Sequence, residues 1–106
     1  MSKTANLKKI VNHIVTTVTP DKVILFGSRA RGDNRQDSDY DLLIIKKRLK
    51  NARRLTTGLY HTFFVKNIYA PVDLLAINCG KYNKLKNDVG YIYKTISREG
   101  KVLYER

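Results

Sequence analysis

The sequence predicts a layered α/β or α+β domain, a small sheet covered by helices. Three observations predict it. Apolar residues recur at helical spacing near the N-terminus. Two apolar runs, DLLII (residues 41–45) and DLLAI (residues 73–77), each open on an aspartate and have the length of a strand. Stretches with strand and helix patterns then alternate along the chain, and alternating elements pack as sheet and helix layers.

Within residues 3–18, Leu7, Ile10, Val11, Ile14, Val15 and Val18 form one stripe, and Thr19-Pro20-Asp21 ends that helix. KVILFG, residues 22–27, reads as a short buried strand. Residues 28–32 can make one helical turn, and residues 33–37 a polar loop. Residues 39–45 form a second strand with a solid apolar end. Asn51 is placed to cap a helix carrying Ala52, Leu55, Leu59 and Phe63, although Gly58 and its neighbouring threonines weaken it. APVDLLAIN, residues 70–78, is a third strand; Pro71 puts it at a sheet edge or marks its start. Asp88 is placed to cap a last helix through Val89, Ile92, Tyr93 and Ile96. Gly100 stops that helix, and residues 101–104 add a short strand.

The 106 residues suit a single domain, 1–106, with one core and no second lobe. With 42% hydrophobic and 28% charged residues, the chain has the composition of a folded protein rather than a disordered one. Cys79 is the single cysteine, which excludes an internal disulfide and fits a reducing compartment. No apolar run approaches the ~20 residues that span a bilayer, and the N-terminus has no apolar signal core. These points predict a soluble, cytoplasmic protein.

The formal net charge is +12. Residues 42–72 contain no acid, while KKRLKNARR, residues 46–54, concentrates six cations. Such a surface attracts a polyanion, whether a nucleoside triphosphate, a nucleic acid or an acidic partner. A solvated helix start explains the same run equally well. His13, His61 and Cys79 show no ligand spacing.

The chemistry concentrates in GSRARGDNRQDSDYDLLII, residues 27–45. Asp39 and Asp41 lie two apart, so on a strand both carboxylates point to one face while Tyr40 points to the other. Converging carboxylates stay ionised only with positive charge between them. A hard cation such as Mg²⁺ suits, because it takes a few carboxylates, waters and phosphate oxygens. Asp73 repeats the strand-mouth position; if its strand neighbours the first, a third carboxylate joins, and two metal ions could hold both oxygens of a phosphoryl displacement. Gly27 allows a tight bend and close approach. The helix start at Ser28 offers amides to a phosphate, and Arg29 and Arg31 are available to neutralise its charge. The spacing is not that of a P-loop or a dinucleotide fingerprint. Asp33 and Asp37 read as turn formers, and Ser38 as a residue orienting the loop.

GSRARG followed by SDYDL resembles the GSxARG…SDxDL signature of the polymerase-β-like nucleotidyltransferase superfamily, and the short chain is similar to its minimal members, the MNT domains. The resemblance runs from about Val23 to Ile77. It implies a small mixed sheet with helices on one face, and transfer of a nucleoside monophosphate from an NTP to a hydroxyl with release of pyrophosphate. It implies that Gly27 and Ser28 hold the nucleotide phosphates and that Arg31 supports the loop or the phosphates. Asp39, Asp41 and Asp73 would hold two Mg²⁺ ions, and Asp73 would help activate the attacking hydroxyl. Larger relatives carry a second domain that closes over base and acceptor, so the acceptor is expected from another chain. Minimal members often pair, as antitoxin, with a helical HEPN toxin and adenylylate one of its tyrosines. That partner, with ATP as donor, is the expectation here. Transfer to a small molecule or RNA end, and a non-catalytic module that neutralises a partner by contact, are the alternatives.

Overall fold

The structure, a computed structural model, describes residues 6–106. Helix α1 (Leu7–Val18) forms where the apolar stripe lies and buries Ile10, Val11 and Ile14. The Asn6 side chain caps it by accepting from Lys9 N at 2.9 Å. Residues 3–5 of the expected helix lie outside the described residues. Thr19 turns left-handed at φ 44° and ends the helix ahead of Pro20.

Strand β1 (Lys22–Phe26) leads through Gly27 into the one-turn helix α2 (Ser28–Arg31). After a polar loop comes β2 (Tyr40–Lys46). Helix α3 (Ala52–Val65) starts at Asn51, whose side chain accepts from Arg54 N at 2.9 Å as a capping residue should. Strand β3 (Val72–Asn78) follows one residue after Pro71. Helices α4 (Cys79–Leu85) and α5 (Ile92–Glu99) precede β4 (Lys101–Glu105).

The four strands form one mixed sheet in the order β3-β2-β1-β4. β2 and β3 run parallel, and β1 is antiparallel to both β2 and β4. This is the mixed α+β sheet that the sequence predicted. Pro71 sits beside an edge strand, where a missing amide costs no ladder bond.

Alternation along the strands divides the core in two. On one face Val23, Leu25, Leu42, Ile44 and Leu74 meet Ile10 and Ile14 of α1 and Leu59 and Phe63 of α3. On the other, Ile24, Leu43, Ile45 and Ile77 meet Tyr82 of α4 and Ile96 of α5. The helices therefore cover both faces, which corrects the expectation that they pack on one. The reason is visible in β2, where four consecutive residues, Leu42–Ile45, are buried: a strand with two apolar sides needs cover on both. That second cover stops short. Along β3, Asp73 and Leu75 are exposed while Ile77 is buried on the same side.

Two local details differ from the sequence reading. α4 was not predicted: Asn78 reads as the end of a strand, yet its side chain accepts from Gly80 N at 2.8 Å and starts a helix. Asp88 does not cap α5. Gly90 takes φ 100° and turns the chain, so the helix starts two residues later with Tyr91 as its cap residue.

Candidate active site

The uncovered corner of the second face lies where β1 ends and β2 and β3 begin. Phe26, the last residue of β1, pairs with Asp41, and Asp41 pairs in parallel register with Asp73. Register partners on neighbouring strands stand roughly 5 Å apart and point to the same face. The two carboxylates are thus side by side, on the face that α4 and α5 leave open. Tyr40 packs against the first core, away from Asp41, as alternation requires. Asp39 falls one residue before β2 and is exposed, at the rim of the pair rather than within the ladder.

Gly27 makes this corner possible. Its φ of 74° and ψ of −156° belong to a region that essentially only glycine occupies. A Cβ built there would collide with Asp41 Oδ2 and stand 3.1 Å from Asp41 Cγ. The close approach expected at Gly27 is therefore made, in this chain, by the Asp41 carboxylate. The carboxylate leans on the bend that starts α2, whose first amides have no intrahelical acceptor.

The electrostatics are those of a group awaiting a counter-charge. Burial pushes the Asp41 carboxyl above its usual range; the fields of Asp73 and Asp39 push it further, and Arg31 partly offsets them. Among the described residues, the ion pairs are Lys22–Glu105 and Arg31–Asp33, so none of the three site aspartates has one. Such a carboxyl holds its proton more tightly, and a bound cation would favour its ionised form again.

The two arginines of the motif divide the work. Arg29 does not face outward to meet a phosphate. Its guanidinium donates to Ser38 O at 3.1 and 2.8 Å and to Gln36 O at 3.0 Å, and it lies 4.6 Å from the centre of the Tyr40 ring. It clamps the loop that delivers Asp39. Ser38 Oγ closes the same loop by accepting from Arg35 N at 2.9 Å. Arg31 is exposed and paired with Asp33 Oδ2 at 3.1 Å. Asp33 is therefore a partner for Arg31 rather than a turn former alone. Sequence reasoning missed the clamp; the signal available was an arginine eleven residues before an aromatic strand residue, too general to read alone.

With this geometry in view, the comparisons with known proteins decide the family. The model of the family "Polymerase beta, Nucleotidyltransferase" matches residues 8–106. The chain belongs to that family. Solved structures agree. A putative nucleotidyltransferase from Sulfolobus solfataricus is 25% identical with a TM-score of 0.63, over 93% of this chain and 77% of that one. A toxin–antitoxin structure with AMP-PNP is 16% identical with a TM-score of 0.62, over 95% and 75%. A mutant of the toxin–antitoxin MntA–HpeT is 19% identical with a TM-score of 0.64, over 96% and 74%. The last two, at that identity, are similar in fold. No curated protein matches the sequence. No helix among the described residues is long and apolar enough to cross a membrane.

A divalent metal can be tested against these residues. Among the described residues, no three His, Cys, Asp or Glu side chains form a finished cage. What exists is a facing pair, Asp41 and Asp73, with Asp39 at the rim. That donor set fits a hard ion such as Mg²⁺, which takes one or two carboxylates and completes its shell with water and phosphate oxygens. It does not fit a structural zinc, which asks for four nitrogen or sulfur ligands.

Proposed function

We propose that this family member transfers a nucleoside monophosphate, AMP from ATP, to a hydroxyl group, and that the acceptor is a tyrosine of a HEPN-type partner protein. The observation that carries the reading is the corner itself: Asp41, seated on Gly27, faces Asp73 in register and has no ion-pair partner among the described residues. Mg²⁺ held by Asp39, Asp41 and Asp73 would neutralise charge building on the transferred phosphoryl group.

The chain's own residues supply the rest. Ser28 and the amides of the bend receive the triphosphate at a helix start. Arg31, free to turn from its exposed pair with Asp33, adds charge near the phosphates. Asp73, the exposed member of the pair, would accept the proton of the attacking hydroxyl. Arg29 keeps the Asp39 loop in register, and positioning supplies much of the rate in phosphoryl transfer. The structurally similar toxin–antitoxin with AMP-PNP supports both the nucleotide and the protein acceptor.

The test is incubation with Mg²⁺, ATP labelled in its α-phosphate, and the product of the neighbouring gene. Label is expected on a tyrosine of that partner. Label released only as free AMP, or no labelled protein with a folded, verified partner, contradicts the acceptor.

A further inference from the structure

At the end of the sheet opposite Gly27, between its second face and helices α4 and α5, lies a half-open cleft of about 940 Å³. Its floor is apolar, built on Ile24, Ile45 and Ile96. Its walls carry six cations, Lys22, Lys46, Lys47, Arg48, Lys86 and Arg106, against two acids, Asp21 and Glu105.

Both acids are engaged. Asp21 Oδ2 accepts from the Lys47 amide at 2.6 Å, and Glu105 pairs with Lys22 at 3.3 Å. The Lys46 ammonium donates to Thr19 O and Oγ1, each at 3.1 Å. Like Lys46, the side chains of Lys47, Arg48, Lys86 and Arg106 have no carboxylate partner among the described residues. The turn bearing Lys47 and Arg48 is fixed in place. Arg48 holds a left-handed φ of 60°, and Leu49 O accepts from Asn78 Nδ2, the residue that also caps α4. Arg53 and Arg54 line a separate groove at the start of α3.

The composition of this cleft separates the classes of ligand. Cores of protein interfaces are depleted of lysine and enriched in exposed aromatics. Here the rim is lysine-rich and the one aromatic lining it, Tyr82, is 6% exposed. Of the exposed large apolar side chains, Val102 lines the cleft, while Phe64, Val65 and Tyr69 lie elsewhere. The cleft is larger than one ion needs. Without an exposed aromatic face it cannot stack bases. We propose that this cleft binds the phosphodiester backbone of a single-stranded nucleic acid without reading its sequence.

The seven residues of β2 set the two ends of the sheet roughly 20 Å apart. A strand in the cleft therefore does not occupy the Asp41 corner, and the inference stands independently of the proposed reaction.

The experiment is fluorescence anisotropy with labelled twelve-residue oligo-U and oligo-dT, titrated with the whole protein over a salt series. Binding is expected to weaken with salt, at about 0.7 log units per log unit for each phosphate contact. The triple variant Lys47→Gln, Arg48→Asn, Lys86→Gln should weaken binding about tenfold or more and flatten that slope. Asn at 48 keeps the left-handed turn, and a thermal melt verifies folding. A control with equal charge loss, Lys8→Gln, Lys9→Gln, Lys66→Gln, should change affinity no more than about twofold. AMP-PNP should leave binding unchanged. Equal losses in both variants, a flat salt response, or no binding overturn the proposal. So does a polyglutamate peptide that displaces the oligonucleotide at equal charge concentration, which would assign the cleft to an acidic protein. Similar affinity for the two oligonucleotides supports a backbone site; a preference above about tenfold contradicts it.

Discussion

At one end of the sheet, three aspartates stand by a glycine bend with no ion pair of their own among the described residues; at the other, six cations line a cleft against two acids, and of the six only Lys22 has a carboxylate partner among the described residues. The two ends share strands but are held differently. The acidic end is built by backbone register and a glycine, with its carboxylates half-buried or exposed on an uncovered face. The basic end is built from long, solvated side chains around a turn. Charge brought together by register is costly and specific. Charge carried on flexible stems costs little and accepts many geometries. The acidic end is therefore the place for chemistry, and the basic end for loose binding.

Substitution at the acidic end should break that contrast most sharply. Asp41→Asn should lower nucleotidyl transfer at least about a hundredfold, since even outer-shell partners of metal ligands cost about 10–100-fold. It should also raise the melting temperature of the ligand-free protein at neutral pH. The folded chain holds the Asp41 carboxyl above its ordinary range. The folded state therefore binds that proton more tightly, and the stability it contributes is lost as pH rises through the raised value. A melting temperature that falls in Asp41→Asn would contradict this. Gly27→Ala should cost about 1–3 kcal/mol in a urea melt and abolish transfer, because the backbone angle is glycine's and Asp41 occupies the Cβ space.

Arg29→Ala sharpens the comparison by loosening only the Asp39 loop. It should cost about 1–3 kcal/mol through its lost charged hydrogen bonds, and weaken Mg²⁺ dependence more than nucleotide affinity. Arg29→Lys should not restore it, because a lysine cannot fork between Gln36 O and Ser38 O while lying on Tyr40.

A smaller effect lies away from both ends. His13 is buried between α1 and α3, with its ring against Phe63 and Nε2 2.8 Å from Thr62 Oγ1. Burial first, and Lys66 second, hold its imidazole below the usual 6.5. The unfolded chain then binds that proton more readily, so stability is full above 6.5 and falls as pH drops through the lowered value. Thermal melts at pH 7.5 and 5.5 should show the loss in the parent and a reduced loss in His13→Gln.

Much of this was legible in the chain. The aspartate-then-apolar grammar of β2 and β3 located both strand mouths, and Asn51 announced α3. What alternation alone could not show was that Asp41 and Asp73 would be register partners, because pairing joins residues 32 positions apart. Asp39 was read into the strand, yet the strand begins one residue later. Arg29 looked like a phosphate ligand because sequence displays its charge and hides its acceptors, the carbonyls of Gln36 and Ser38. Helix α4 was missed because Gly80 lowers helix propensity and Asn78 closes a strand pattern as naturally as it opens a helix. The basic cleft needed residues from four separate segments and was visible only as net charge.

Calorimetric titration of AMP-PNP into the protein, with Mg²⁺ and with EDTA, tests the acidic corner most directly. Tight binding should require Mg²⁺ in the parent and disappear in both Asp41→Asn and Asp73→Asn, while the oligonucleotide still binds. Equal AMP-PNP affinity with and without Mg²⁺, or in parent and variants alike, would contradict a metal–triphosphate site at Gly27, Asp41 and Asp73.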